Sequence, residues 1–169
     1  MLQESVSLVT IRSALPSDAE QIYIIYNKYI ADSHITFEEE PVRAEAMAER
    51  IETVVRTLPW IVLKERDQMI GYAYASRWRT RSAYRHSVES TIYLDPAAAG
   101  RGLSTRLYGA LIDALRQSGL HTVIGGIALP NEPSIRLHEK LGFVKTAQFR
   151  EVGNKFGRWI DVGYWQMLL

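Results

Sequence analysis

A chain of 169 residues is long enough to bury one core and too short for two comfortable ones. Its net charge of +1 gives no global field to recruit nucleic acid or an anionic membrane, and the absence of cysteine excludes disulfides, thiolate metal sites and a covalent cysteine intermediate. No apolar run approaches the ~20 residues of a membrane span, and residues 1–10, with Glu4 and no long apolar stretch, do not read as a secretory signal, so a cytoplasmic protein is expected.

Residues 6–11 predict a first strand, ended by Pro16. Ser17 followed by Glu20 has the form of a capping box, and Ile22, Ile25, Tyr26 and Tyr29 then recur at helical spacing. A second helix is expected after Pro41, with Ala44, Met47, Ile51 and Val54 or Val55 facing inward; the loop between, 32–40, carries His34, Thr36 and Phe37. Residues 60–64 and 69–76 read as strands joined by the polar turn 65–68, a hairpin that starts the sheet antiparallel.

A basic loop over 77–85 leads to a strand over 87–94. The turn Ala99, Gly100, Arg101, Gly102, Leu103, Ser104 then opens a helix over 103–117, where Leu103, Leu107, Leu111 and Leu115 mark one buried face. Gly119 stops it, and 121–127 forms another strand. Asn131 can cap a short helix with Pro133 in its first turn, ended by Gly142. Residues 143–150 and 159–168 close the chain as strands, and the four tryptophans are read as core or strand packing. No repeat or linker interrupts this order, so one mixed α/β domain is expected over 1–169.

The turn after the fourth strand is the first chemical signal. A strand entering a helix through glycines leaves several N–H groups unpaired and aimed at one point, and the helix dipole adds positive charge there. That is a site for a phosphate or pyrophosphate.

This order of elements, with a Gly-rich turn after the fourth strand, resembles the GNAT superfamily of acetyl-CoA-dependent N-acetyltransferases. Their turn, Arg/Gln-x-x-Gly-x-Gly/Ala, maps to Ala99, Gly102 and Ser104, of which the central Gly matches. Asn131, Ser134, Leu137, Glu139, Lys140, Leu141, Gly142 and Phe143 resemble the superfamily's Asn…Ser…Leu-x-Glu-Lys-Leu-Gly-Phe segment. Thr36-Phe37, the loop 78–84, Glu89-Ser90-Thr91, Arg136-Leu137-His138-Glu139 and the tail 155–162 are similar to phosphinothricin N-acetyltransferases, whose relatives act on methionine sulfone or methionine sulfoximine. The resemblance implies a mixed, largely antiparallel sheet of about seven strands with about four helices, splayed between the fourth and fifth strands. It also implies acetyl-CoA as co-substrate, no metal, a small amino-acid analogue as acceptor, a homodimer, and an activity that confers herbicide resistance.

Amide formation needs a neutral amine, yet an α-amine is largely protonated at neutral pH. A carboxylate nearby, directly or through a water, can take the proton. Glu89, in an otherwise apolar strand, matches the family's catalytic Glu; the alternative is a strand Glu paired to a nearby Arg. His138 stands where many GNAT enzymes carry a Tyr that protonates the departing thiolate, and it could instead assist Glu89; a packed His is the other reading. Ser134, one helical turn earlier, shares its face.

Arg77, Arg79, Arg81 and Arg85, interleaved with Trp78 and Tyr84, suit carboxylate or phosphinate oxygens; a solvated charge cluster or a nucleic-acid patch are the competing readings. The family match favours Arg79, Arg81 and Tyr84 as acceptor contacts, with Phe37, Thr36 and Thr91 beside them. For acetyl-CoA it implies Ile92, Tyr93 and Leu94 along the splay, the main chain of Ala99, Gly100, Arg101, Gly102, Leu103 and Ser104 around the diphosphate, and Asn131 and Ser134 near the pantetheine arm. His34, His86 and His121 show no metal-ligand spacing. Direct transfer in a ternary complex is the leading expectation. Acetylation of a protein N-terminus, a polyamine or another xenobiotic amine is the second, and a non-enzymatic CoA-binding module the third.

Overall fold

The computed structural model describes residues 8–169. Its strands are β1 (Val9–Ser13), β2 (Trp60–Glu65), β3 (Gln68–Arg77), β4 (Ser87–Leu94), β5 (Thr122–Ala128), β6 (Val144–Lys155) and β7 (Arg158–Leu168). Its α-helices are α1 (Ala19–Asp32), α2 (Ala44–Val55), α3 (Leu103–Gln117) and α4 (Glu132–Lys140). The seven strands form one sheet in the order β1-β2-β3-β4-β5-β7-β6, antiparallel throughout except where β4 meets β5.

Each face of the sheet has its own apolar layer. On one, Ile22, Ile25, Met47 and Ile51 of α1 and α2 pack with Trp60, Val62 and Tyr72. On the other, Leu107, Leu111 and Leu115 of α3 pack with Ala73, Val88 and Val123. The period-2 alternation of β4 divides its side chains between them: Val88, Ile92 and Leu94 go to the α3 layer and Tyr93 to the α1–α2 layer. Glu89 and Thr91 share the parity of Tyr93, so they face the α1–α2 side.

Several local expectations change. The first strand starts at Val9, and the Val6 end of the expected strand lies outside the described residues. The entry to α1 is not a Ser17–Glu20 box. A 3₁₀ turn, Pro16–Asp18, precedes the helix, and the Asp18 carboxylate accepts the Leu15 N–H at 2.8 Å while paired with Arg12 at 2.7 Å. Asp18, buried on Arg12, takes the role expected of Ser17. On α2 the inward valine is Val54, and Val55 is exposed. Strand β6 runs on to Lys155 and turns into β7 through Phe156 and Gly157, both at positive φ (52° and 70°), as a two-residue hairpin requires. Trp60 and Trp165 are core residues, but Trp159 is 66% exposed on the outer hairpin. Among the described residues no helix is long and apolar enough to cross a membrane.

Candidate active site

The parallel pairing of β4 and β5 stops early. It joins Ser87 to Thr122, Val88 to Val123 and Glu89 to Ile124, and the strands part beyond it. The Asp95 N–H donates to Ile70 O at 2.7 Å. Because antiparallel pairs alternate, Thr91 and Tyr93 then bond to β3, while Ile92 and Leu94 turn their main-chain groups into the opening. Tyr93 therefore sits away from the cleft, its ring packed among Tyr26, Tyr29 and Tyr72 at centroid distances of 5.2, 5.1 and 5.6 Å. One carbonyl at the far end of the opening is already used: Leu94 O accepts from the Tyr29 hydroxyl at 2.6 Å.

The α3 turn supplies a second set of main-chain groups. Gly100 and Gly102 both take positive φ (78° and 73°), with Gly102 as the N-cap, and the first N–H groups of α3, at Leu103 and Ser104, have no carbonyl below them. A Cβ at either glycine would meet no atom within 4 Å, so what the turn requires of them is their dihedral angle. Ala99, exposed, presents no side-chain donor here. The Arg101 guanidinium is held by both oxygens of Glu65, at 2.6 and 3.1 Å, which draws it toward the end of β2. Asn131 caps α4, its Oδ1 accepting the Ser134 N–H at 3.2 Å.

Glu89 stands at the fork itself. Burial pushes its carboxyl above the usual carboxylate range, opposed by the charge of Arg79. A Cβ on Gly126 would lie 3.1 Å from Glu89 Oε1 and 3.2 Å from the Tyr164 ring, so that glycine makes room for both. Tyr164 packs edge-on against Trp78 at 5.7 Å, and the Arg79 guanidinium lies 4.7 Å from the Trp78 ring centroid. Arg79, Arg81 and Tyr84 with Thr80 line an open cleft of about 290 Å³. Thr91 lies opposite Tyr74 in the β3–β4 register.

His138 is on the other face. It is 3% exposed and rests on Gly125, where a Cβ would overlap the imidazole. Its Nδ1–H donates to the Ser134 carbonyl at 2.8 Å, which makes Nε2 the acceptor for the Tyr108 hydroxyl at 3.0 Å. The Tyr108 oxygen in turn takes the Ser90 hydroxyl at 2.7 Å. Burial lowers the His138 pKa, partly offset by the Ser134 bond, so the ring is neutral at neutral pH. Gly125 and Gly126 are successive residues of β5 and point to opposite faces. The expectation that His138 assists Glu89 is therefore corrected: the strand stands between them.

Two residues of this site were not legible in the sequence. Tyr108, beside the leucine stripe of α3, carried no signal of its own; the residue is fully buried at 0% exposure and its hydroxyl joins the His138 chain. Lys155 stood in the sequence only as the first residue of the family-like tail 155–162. It is 1% exposed, and its ammonium donates to Ile30 O and Thr36 O, both at 2.9 Å. Thr36 also bonds the Tyr26 hydroxyl at 2.7 Å. The next residue, Phe37, covers Gly153, where a Cβ would overlap its ring. The β6–β7 turn thus clamps the loop that presents Phe37.

A seven-stranded sheet forked at a parallel pair, with a helix N-terminus at the fork and a half-buried carboxylate between, defines a class of acyl-transfer folds. Residues 11–163 match the family profile described as Acetyltransferase (GNAT) domain. The chain belongs to the GNAT acetyltransferase family and is an acyltransferase enzyme. It is 37% identical, over 158 residues that cover 94% of this chain and 86% of the relative, to a phosphinothricin N-acetyltransferase of Streptomyces viridochromogenes. It is 36% identical to an L-methionine sulfoximine/L-methionine sulfone acetyltransferase of Salmonella typhimurium, covering 95% of each chain. Among solved structures, a GNAT superfamily phosphinothricin acetyltransferase from Sinorhizobium meliloti in complex with acetyl-CoA superposes with a TM-score of 0.91 at 37% identity, covering 95% of this chain and 88% of that one.

Proposed function

We propose that this protein transfers the acetyl group of acetyl-CoA to the α-amine of a small amino-acid analogue, of the class of phosphinothricin, methionine sulfone and methionine sulfoximine, by direct transfer in a ternary complex. The observation that carries this reading is Glu89: a half-buried carboxylate of raised pKa at the point where β4 and β5 part. The names of the relatives support the acceptor class.

In this reading the N–H groups of Gly102, Leu103 and Ser104 hold the CoA diphosphate, a charge-assisted contact that the helix dipole strengthens. Ala99, Gly100 and Arg101 shape that turn, and Asn131 and Ser134 flank the pantetheine arm. The cleft-facing N–H of Ile92 or Leu94 polarises the thioester carbonyl. Arg79, Arg81 and Tyr84 bind the carboxylate and side-chain oxygens of the acceptor, while Phe37 and Thr91 wall its other side. Glu89 accepts the ammonium proton, directly or through one water, leaving a neutral amine to attack. A raised pKa makes Glu89 a better proton acceptor than an ordinary carboxylate. On the opposite face, the Ser90–Tyr108–His138 hydrogen bonds run away from the fork and end on His138 Nε2, so the departing thiolate takes its proton from water.

The reading extends to a cytoplasmic homodimer that confers resistance to phosphinothricin. The outer hairpin supports the dimer: β6 is an edge strand, and Phe149, Val152, Phe156 and Trp159 on β6, its turn and β7 are all more than half exposed. Small soluble acceptors, with no nucleic acid or membrane partner, complete it.

The experiment is steady-state release of CoA thiol from acetyl-CoA with the three analogues. Turnover with at least one, abolished or strongly reduced in Glu89→Gln, is the expected result. No thiol release with any of them overturns the acceptor assignment.

A further inference from the structure

Beside the site just described lies a second hollow, of about 450 Å³, between α2 and the β2–β3 hairpin. Trp60, Tyr72, Tyr74, Tyr26, Met47 and Ala46 are among its walls. Trp60 and Tyr74 stack at 4.1 Å and 14°, and Trp60 and Tyr72 at 5.8 Å and 17°, giving a flat aromatic floor. The Trp60 Nε1–H is buried without a hydrogen-bond partner, which is true of no other side-chain nitrogen or oxygen found buried among the described residues. That nitrogen has essentially no accessible surface, so it is sealed within the packed floor and not offered to the hollow.

The hollow lies on the same face of the sheet as Glu89. In the β2–β3–β4 register Trp60 faces Tyr74, and Tyr74 faces Thr91. Ser76, two residues from Tyr74 on the same face, stands opposite Glu89. Two strand residues span about 7 Å, so the hollow begins one side-chain length from the carboxylate. Tyr26 links the two regions as well, donating to Glu38 at 2.9 Å while bonded to Thr36 of the Phe37 loop.

The rim decides which chemistry enters. Arg50 on α2 is held by both oxygens of Glu38, at 2.7 and 3.0 Å. Its charge is matched, so the hollow offers no unpaired cation to an anion. The aromatic and apolar walls suit an apolar group, and the Glu49 carboxylate beside the matched Arg50 disfavours an acidic one.

We propose that this hollow is a side-chain subsite, which selects amino-acid acceptors with neutral side chains longer and more apolar than an S-methyl sulfone or sulfoximine. The inference rests on the acetyl-transfer reading for its acceptor and on the hollow for its selectivity.

The test uses the S-methyl, S-ethyl, S-propyl and S-butyl homologues of methionine sulfoximine. Calorimetry on the CoA-loaded protein gives Kd, and thiol release gives kcat/KM. The expected result is a gain of about fourfold per added methylene in both, the value for burying one methylene. In Ala46→Trp, and independently in Thr53→Trp, on exposed positions of α2 that border the hollow, the butyl-to-methyl ratio is expected to collapse toward one. A flat or falling series in the unaltered protein overturns the subsite while leaving acetyl transfer standing. A ratio that neither tryptophan changes also overturns it. A Kd that improves along the series with no thiol release from any member upholds the subsite and removes the transferase reading.

Discussion

Glu89 and His138 occupy opposite faces of a single strand, the carboxylate over Gly126 and the imidazole over Gly125. The two groups therefore cannot exchange a proton directly. One faces the arginine loop and the acceptor, and the other runs through Tyr108 to Ser90, next to the fork. In the proposed transfer the carboxylate takes the amine's proton, and the sheet keeps that step apart from the imidazole.

Replacing Glu89 by Gln is expected to lower kcat by ~10²-fold or more, the usual contribution of a positioned base, with CoA affinity retained. Because burial raises the Glu89 pKa, the acid limb of the kcat/KM profile should fall above the ordinary carboxylate range. The same shift makes the charged carboxylate a cost to the folded state at neutral pH. The Gln variant should then be at least as stable as the parent at pH 7 and lose that advantage as pH falls toward the unfolded Glu value. A denaturant titration at two pH values reads this.

His138 carries the opposite linkage sign from a salt-bridged His. Its folded pKa is depressed by burial, so the unfolded chain binds the proton first. Stability from this group is whole above the unfolded value of about 6.5 and is lost as pH falls through and below it. Tyr108→Phe, which leaves Nε2 without its donor, is expected to cost about 1–3 kcal/mol. It should also flatten the low-pH loss in stability less than His138→Asn does. Melting temperatures across pH 5 to 8 would separate the two.

The two adjacent glycines provide a sharper contrast. Gly125→Ala forces a Cβ into the His138 ring, itself packed edge-on to Tyr108 and Phe143 at 5.0 and 5.1 Å, and should cost about 1–3 kcal/mol of stability as overpacking. Gly126→Ala meets the tip of Glu89 and the Tyr164 ring, both able to give, so it should disturb kcat more than melting temperature.

Lys155→Met leaves two carbonyls, of Ile30 and Thr36, without their donor and frees the Phe37 loop. The acceptor KM should rise several-fold while the Kd for CoA stays put. Arg at the same position, able to donate but longer, should restore part of the KM. A fall confined to melting temperature with unchanged KM would make Lys155 structural alone.

Much of this was legible in the sequence where one residue type dictates one local geometry. The leucine period gave α3 its limits, Asn131 and Pro133 gave α4 its start, and Glu89 stood out as an isolated carboxylate in an apolar strand, which the structure places at the fork. What stayed hidden depended on partners far along the chain. Asp18 displaced Ser17 because Arg12 lies across the turn, which no local pattern encodes. Lys155 and Ile30 are brought together only by closure of the sheet. The separation of Glu89 from His138 needed the β4–β5 register, and Tyr108 needed to be seen as a hydroxyl in a row of leucines.

The central claim is that main-chain donors at the α3 turn and the β4 fork hold CoA so that its acyl end meets an amine on the Glu89 face. A crystal structure with CoA and methionine sulfoximine bound tests it most directly. The diphosphate is expected on the N–H groups of Gly102, Leu103 and Ser104, with the amine within hydrogen-bond reach of Glu89, directly or through one water. A diphosphate bound elsewhere, or an amine lying on the His138 side of β5, would contradict it.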